Sequence, residues 1–199
     1  MKVLVCTKSE CRDADEIVCG QAKKYIKRYK HFQADPNNIQ GSFLECLKTF
    51  RIKKDKFFLF LPPSIILLDN INESALQNLS DIALQYDIDY IRIGSMGEKH
   101  GKLISNDIWL DNNSKMLDSP YLITKSSLEK VITRKKSANI RFWRSLEVSG
   151  FKGAYVKRSI QPVIYYSMKK LDENSEKIVE NLISEYNISR TKSFGGCCQ

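Results

Sequence analysis

Residues with hydroxyl or cationic side chains lie at the ends of two predicted strands. Thr7, Lys8 and Ser9 directly follow the apolar segment at residues 2–6, and Arg92 lies near the end of the apolar segment at residues 88–93. Hydroxyl groups can hydrogen-bond a nucleotide, and a guanidinium group can hold a diphosphate through two parallel hydrogen bonds. For Arg92, the alternative is an ordinary ion pair at the end of a strand. These residue types predict a site for a phosphate-bearing ligand.

Other kinds of reactive site find little support. The six cysteines form no CxxC pair and the two histidines, His31 and His100, are far apart, which disfavours a structural zinc site and a cysteine hydrolase. The chain contains no Walker A loop, no GxGxxG and no Gly-x-Ser-x-Gly. Cys197 and Cys198 do not form a CaaX box, because Gly196 stands fourth from the end. We interpret residues 189–199 as a flexible tail, with a paired-cysteine prenyl site as the alternative.

The net charge of +9 is unevenly distributed. Residues 1–56 carry +6, residues 57–120 carry −5 and residues 121–199 carry +8. An electropositive face suits a nucleic acid, a nucleotide or an anionic membrane, and plain solvated surface is the alternative. No RNA-binding signature accompanies the cations, so a nucleic-acid partner is disfavoured.

Length and composition predict one folded domain. The chain has 199 residues, of which 42% are hydrophobic and 28% charged, as in ordinary globular proteins. It contains no apolar run of about 18 residues, so we expect no transmembrane segment. The short apolar start does not match a signal peptide, and we expect a cytoplasmic location.

Predicted strands and helices alternate along the chain, which indicates an α/β fold with a sheet covered by helices on both faces. Strands are predicted at 2–6, 57–61, 65–68, 88–93, 121–124, 154–156 and 163–166, with a hairpin arm or edge strand at 102–110. Helices are predicted at 13–30, 72–86 and 172–186, and from capping boxes at Ser42–Glu45 and Ser126–Glu129. Ligands of such sheets bind beyond the carboxyl ends of the strands, here residues 7–9, 62–64 and 94–96.

The order of segments carries a family resemblance. Residues 41–93 (GSFLECLKTFRIKKDKFFLFLPPSIILLDNINESALQNLSDIALQYDIDYIRI) place a helix, a strand, a turn, a second helix and a second strand in succession. Segments at 119–132, Phe142–Glu147, Ile164–Tyr166 and 172–186 continue the pattern. This arrangement resembles GT-A-like glycosyltransferases of bacteria and large DNA viruses, over about residues 1–188. The resemblance implies a single GT-A-like, Rossmann-related domain with a central mixed sheet.

The resemblance implies a nucleotide-sugar donor, whose diphosphate leaves as the sugar is transferred. In metal-dependent members an acidic, DxD-like pair after the central strand holds Mg²⁺ or Mn²⁺. Here that position reads Pro62-Pro63-Ser64, without a carboxylate. A bound metal would need Asp69 as a displaced ligand, and the alternative is that Asp69 caps the turn into the helix that starts at Asn72. Without a metal there are two alternatives. Either lysine or arginine offsets the charge of the leaving diphosphate, or the fold is kept and catalysis is lost.

The same resemblance assigns candidate roles to individual residues. Glu147 would be the catalytic base that activates an acceptor hydroxyl, and Trp143 and Asp118 would contact a glycan or glycoprotein acceptor. The donor would bind at Thr7, Lys8, Ser9, Arg92 and Asp69. Structural alternatives are a surface ion pair for Glu147, core packing for Trp143 and a turn cap for Asp118.

Two other functions remain open from the sequence. The missing acidic pair favours a catalytically inactive GT-A-like protein that binds a glycan, a nucleotide or a partner. The positive charge alone favours a basic, RNA-associated protein.

Overall fold

The computed structural model describes residues 1–8, 12–35, 37–63, 65–93, 101–105, 108–111, 119–134, 148, 150–156, 163–165 and 173–188. Within these ranges ten strands and five helices follow one another along the chain. Their bounds are β1 Val3–Lys8, α1 Arg12–Tyr25, β2 Lys30–Ala34, α2 Ile39–Thr49, β3 Phe57–Leu61, β4 Ile65–Leu67, α3 Glu73–Gln85, β5 Tyr90–Arg92, β6 Leu103–Ser105, β7 Ile108–Asp111, β8 Tyr121–Thr124, α4 Lys125–Thr133, β9 Gly153–Val156, β10 Val163–Tyr165 and α5 Glu173–Glu185.

Eight of these strands form one mixed sheet in the order β2-β1-β3-β8-β5-β9-β7-β6. β2, β1 and β3 are parallel to one another, and β8 pairs antiparallel with both β3 and β5. β5 is parallel to β9, which pairs antiparallel with β7. Strands β1, β2, β3, β5 and β9 therefore all run in one direction. β4 and β10 form a separate antiparallel pair.

Helices cover both faces of the sheet. The core on one face includes buried residues of α1, α3 and α5, represented by Ile17, Leu76 and Leu182. The core on the other face includes buried residues of α2 and α4, represented by Phe43 and Leu128. The predicted α/β class, with a mixed sheet between two helical layers, is confirmed.

Central strands agree well with the sequence prediction. β3 consists of five apolar residues, Phe57–Leu61, and all five are buried because helices cover both faces of the sheet there. β4, β5, β8 and β10 lie inside the segments predicted as strands, and β9 begins one residue before its predicted segment. β1 continues two residues beyond the predicted strand at 2–6, because Thr7 and Lys8 still pair with β2. β6 and β7 form the predicted hairpin, with β6 at the edge. α3 and α5 lie within the predicted helices at 72–86 and 172–186.

The predicted helix at 13–30 is wrong over its last five residues. α1 ends at Tyr25, and Lys30 already begins β2, which pairs in parallel with β1. Phe32 and Ala34 are buried on β2, and this alternation with exposed residues is the pattern of a strand. Residues 30–34 form a strand and do not continue the helix because they gain backbone hydrogen bonds to β1. The strand also buries Phe32 against Phe43.

Both predicted capping boxes are also wrong. α2 begins at Ile39, where the side chain of Asn38 accepts a hydrogen bond from the Gly41 amide. α4 begins at Lys125, where Thr124 Oγ1 accepts a hydrogen bond from the Ser127 amide. In each case an earlier polar residue caps the helix, so the helix starts before the predicted box.

Within the described ranges, none of the helices is both long and apolar enough to cross a membrane. The proposed tail at 189–199 lies outside the described residues, and the division into a domain at 1–188 and a tail stays a prediction.

Candidate functional site

The parallel strands bring their carboxyl ends to one edge of the sheet, which we call the carboxyl edge. It contains the ends of β1, β2, β3, β5 and β9. From β1 the chain passes through α1 to β2 on one side, and then through α2 to β3 on the other side of β1. α1 and α2 lie on opposite faces of the sheet. The topology therefore switches between β1 and β3, which is where open α/β sheets form a ligand-binding crevice.

Thr7 is the last residue but one of β1, next to that crevice, and is 1% exposed. Its hydroxyl oxygen is 2.9 Å from Nε2 of His31 on the neighbouring strand β2. The hydroxyl is therefore occupied by an internal hydrogen bond. Lys8 ends β1, and Ser9 lies outside the described residues. The donor-binding roles of these three residues stay a prediction.

His31 also contacts a thiol from the helix above it. Cys19 Sγ on α1 is 3.5 Å from the same Nε2 atom. Partial removal of the imidazole from water lowers the pKa of His31. Burial, and then the negative charge of Asp15, raise the pKa of the Cys19 thiol. Near neutral pH this group of Thr7, His31 and Cys19 is thus uncharged, which suits hydrogen bonding better than nucleophilic attack.

The group of Thr7, His31 and Cys19 does not follow from the elements predicted from the sequence. The helix predicted at 13–30 includes Cys19 and leaves His31 without a strand to bring it beside β1. The signal that could have found it is the alternation over residues 30–34, in which Phe32 and Ala34 are apolar and their neighbours are polar.

Two prolines lie directly after β3. Pro62 and Pro63 are both buried at the carboxyl edge, and neither supplies a carboxylate. Asp69 is exposed and follows β4, where its carboxylate accepts a hydrogen bond of 2.6 Å from the Asn70 amide. The N-cap of α3 is Asn72, so the hydrogen bond of Asp69 lies in the turn that leads into this helix. A metal-binding role of Asp69 stays a prediction. The described residues contain no cluster of three His, Cys, Asp or Glu side chains able to hold a metal ion.

Arg92 lies at the end of β5 and is one of the largest fully buried side chains described, at 1% exposure. Its Nε atom is 3.3 Å from Oδ2 of Asp111 on β7, whose side chain is 3% exposed. The guanidinium carbon lies 5.3 Å from the ring centre of Tyr155, on the intervening strand β9. The predicted alternative of an ion pair at the strand end is thus present, and the pair is buried rather than on the surface.

An aromatic shell surrounds this ion pair. Tyr90 and Tyr121 meet edge to face, with ring centres 5.9 Å apart. Burial, and then the charge of Asp111, raise the pKa of Tyr90 far above its ordinary value. A side chain at Gly153 would meet the Tyr90 ring, since an added Cβ would lie 2.2 Å from its Cζ atom. Glycine at this position lets the Tyr90 ring lie across β9 towards Asp111.

The structure does not bring Thr7 and Arg92 together. Thr7 shares a face with Val5, in the core beneath α1, whereas Arg92 shares a face with Tyr90, in the core beneath α2 and α4. β1 and β5 are also separated by β3 and β8, or about 14 Å at the usual strand spacing. Like Ser9, the predicted site residues Asp118, Trp143 and Glu147 lie outside the described residues.

Comparison with known proteins gave no assignment. No protein-family profile matches the chain. A comparison with curated proteins found no match either.

Proposed function

We propose that the protein is a small GT-A-like glycosyltransferase, which moves a sugar from a nucleotide-sugar donor to a hydroxyl of a glycan or protein. The observation that carries this proposal is the topological switch between β1 and β3. In open α/β sheets this crevice is the place where nucleotides bind. The segment order that resembles GT-A-like enzymes points to the same edge of the sheet.

In the proposed reaction, Glu147 removes a proton from the acceptor hydroxyl, and the oxygen attacks the anomeric carbon of the donor sugar. The bond between that carbon and the diphosphate breaks, and the nucleoside diphosphate leaves with the electron pair. Trp143 and Asp118 hold the acceptor. The Thr7 backbone and the Ser9 hydroxyl bind the nucleoside, and contact with the Thr7 hydroxyl would require its hydrogen bond to His31 to open.

The charge of the leaving diphosphate needs a counter-charge. Arg92 is buried and paired with Asp111, so contact with the donor would require this ion pair to open. Lys8 is the last residue of β1, and we assign this task to its cation. If the enzyme uses Mn²⁺ or Mg²⁺, Asp69 is the ligand that we assign to it, and the metal would supply electrostatic stabilisation of the diphosphate.

A second candidate is a non-catalytic GT-A-like protein that binds a glycan, a nucleotide or a partner. One observation favours it: Pro62 and Pro63 are buried after β3, beside the crevice, at the position of the missing acidic pair. Prolines offer a ligand neither a carboxylate nor a backbone N–H. Such a protein would bind a donor or its nucleotide without transferring sugar.

A thermal-shift panel tests the proposal. UDP-, GDP-, dTDP- and CMP-sugars are each added with and without Mn²⁺, and a ligand that binds only the folded state raises the melting temperature. We expect a rise with one nucleotide class. Lys8→Met should reduce this rise, whereas Lys2→Met, directly before the opposite end of β1, should leave it unchanged.

The outcomes separate the candidates. A rise without Mn²⁺, followed by release of the nucleotide in the presence of an acceptor (a nucleoside diphosphate, or CMP from a CMP-sugar), supports the metal-independent transferase. A rise that needs Mn²⁺ assigns the metal to Asp69, and Asp69→Asn should then abolish it. A rise without turnover supports the non-catalytic protein, and no rise with any donor overturns the proposed donor site.

A further inference from the structure

The starts of the parallel strands form a second edge of the sheet, opposite to the carboxyl edge. Four loops lead into these strands, at residues 26–29, 51–56, 86–89 and 150–152, and Lys2 precedes β1. Because the strands run in one direction, all five segments lie at the same end of the sheet. From β2 to β9 they extend over five strand spacings, or about 24 Å. We call this surface the basic edge.

The basic edge has a large excess of positive charge. Its cations are all exposed: Lys2, Lys27, Arg28, Arg51, Lys53, Lys54, Lys56 and Lys152. The same segments contain only the carboxylates Asp55, Asp87 and Asp89. Asp89 is already engaged, because it accepts hydrogen bonds from the Ser127 hydroxyl and the Lys152 amide. The ion pairs between described residues do not involve any of these eight cations.

Exposed apolar side chains flank these cations. Leu84 is 57% exposed and Tyr86 is 37% exposed, and they are two of the three large hydrophobic side chains that are exposed in the described part of the chain. Both lie at the end of α3, where the chain turns into β5 at the basic edge. Lys152 donates a hydrogen bond to the Tyr86 carbonyl, so cation and apolar group are neighbours.

We propose that the basic edge docks on the surface of an anionic lipid bilayer. Lysines near such a surface each strengthen binding about fivefold, and their effects accumulate without a specific geometry. Six of the eight cations are lysines, whereas arginine is the residue that favours bidentate recognition of phosphates. Leu84 and Tyr86 would enter the interfacial layer beside the lysines.

An RNA strand fits the basic edge less well. Proteins that bind single-stranded nucleic acid combine a basic groove with several aromatic side chains on which bases stack. The most basic of the four loops, at residues 51–56, contains no aromatic residue, and of the aromatic residues in the other three loops only Tyr86 is exposed. The cations are spread over one end of the sheet, as a flat charged surface requires.

Docking in this orientation leaves the carboxyl edge facing away from the lipid. The two edges are separated by the length of the strands, which is about 17–20 Å for five or six residues. A ligand could therefore enter the crevice between β1 and β3 while the protein is bound to lipid. The docking surface does not depend on the proposed transferase activity, and either can fail without the other.

Vesicle co-sedimentation of the full chain tests this proposal. Phosphatidylcholine vesicles with about 30% phosphatidylserine should bind the protein in low salt, and vesicles of phosphatidylcholine alone should not. Raising NaCl from about 0.1 M to about 0.5 M should release it, because salt screens the attraction. Lys53→Glu with Lys54→Glu should weaken binding at least about twentyfold, since two favourable charges become unfavourable.

A matched control changes the same number of charges elsewhere. Lys130→Glu with Lys177→Glu reverses two exposed lysines on helices α4 and α5 and should leave vesicle binding within about twofold. Leu84→Ser should weaken binding a few-fold with the fold intact by circular dichroism. Equal losses in the two double variants would overturn the proposal, as would no binding to anionic vesicles. Tighter binding to single-stranded RNA than to vesicles in the same buffer would overturn it in favour of a nucleic-acid surface.

Discussion

Two halves of the sheet differ in how their polar side chains are paired. In the half made of β2, β1 and β3, the group of Thr7, His31 and Cys19 is uncharged and its members join through hydrogen bonds. In the half made of β5, β9 and β7, a full ion pair between Arg92 and Asp111 is buried among aromatic rings. In the first half the polar atoms lie at a strand end, and changing their surroundings should alter the free energy of unfolding only slightly. The second half depends on its ion pair, because a buried charge without a partner is strongly destabilising.

This difference suggests that the first half serves ligand binding and the second half serves stability. A crevice that binds and releases a ligand needs polar groups that tolerate changes in their surroundings. The Arg92–Asp111 pair, in contrast, connects β5 to β7 across β9 and so fixes the position of the β6–β7 hairpin. We therefore expect substitutions in the second half to affect stability, and substitutions at the carboxyl edge of the first half to affect binding.

The largest expected effect comes from breaking the buried ion pair. Arg92→Met should lower the free energy of unfolding by about 3–5 kcal/mol, because Asp111 would stay buried without its partner. The double variant Arg92→Met with Asp111→Leu should lose clearly less than the two single losses together. Urea unfolding of the four proteins measures this coupling.

A matched control is the exposed pair of Lys24 and Glu185, whose side chains are about half exposed. Lys24→Met should produce a much smaller loss than Arg92→Met, because water screens an exposed pair. Equal losses for the two variants would contradict the contrast between a buried and an exposed ion pair.

A smaller effect should follow from adding one methyl group at Gly153. The Cβ of Gly153→Ala would meet the Tyr90 ring, so the free energy of unfolding should fall by about 1–3 kcal/mol. In a Tyr90→Leu background the same substitution should be nearly neutral, since the ring is gone. Denaturant midpoints of the wild-type protein, the two single variants and the double variant measure these changes in stability. A loss of the same size in both backgrounds would show that the ring is not the cause.

The smallest expected effect is a pH dependence of folding stability that arises from His31 in the first half of the sheet. The pKa of His31 is lowered in the folded protein, so the unfolded chain binds a proton first as the pH falls. The contribution of His31 to stability is therefore complete above its unfolded pKa of about 6.5 and decreases as the pH falls towards the folded value. His31→Gln should remove this part of the dependence.

Urea midpoints at mildly alkaline and mildly acidic pH check that expectation. The wild-type protein should lose more stability between the two conditions than His31→Gln does. An identical loss in both proteins would mean that His31 titrates in the folded state as it does in the unfolded chain.

Much of the fold could be predicted because its signals are local. The apolar run Phe57–Leu61 matches a strand buried on both faces, and the periodicity of Leu76, Leu79 and Ala83 marks the inner face of α3. β2 was missed because it is a short edge strand with mixed polarity, and only its pairing with β1 stabilises it. The helix starts were misplaced because Asn38 and Thr124 also cap well.

The candidate site could be predicted only in part. The sequence places Thr7 and Arg92 correctly near strand ends, since each follows an apolar run. It could not show that they lie on opposite faces, because this depends on the register of β5, β8 and β3 across the sheet. Asp111 was not recognised as the partner of Arg92, because the pairing crosses β9, which is far from both in sequence.

Amide hydrogen exchange with a bound donor tests the central claim most directly. The measurement compares the free protein with the protein saturated by the nucleotide sugar that raises its melting temperature most. We expect slower exchange in residues 6–8 and 59–61, at the ends of β1 and β3, and unchanged exchange in residues 51–56 at the basic edge. Protection confined to the basic edge, or absent from the ends of β1 and β3, would contradict a donor site in the crevice between these strands.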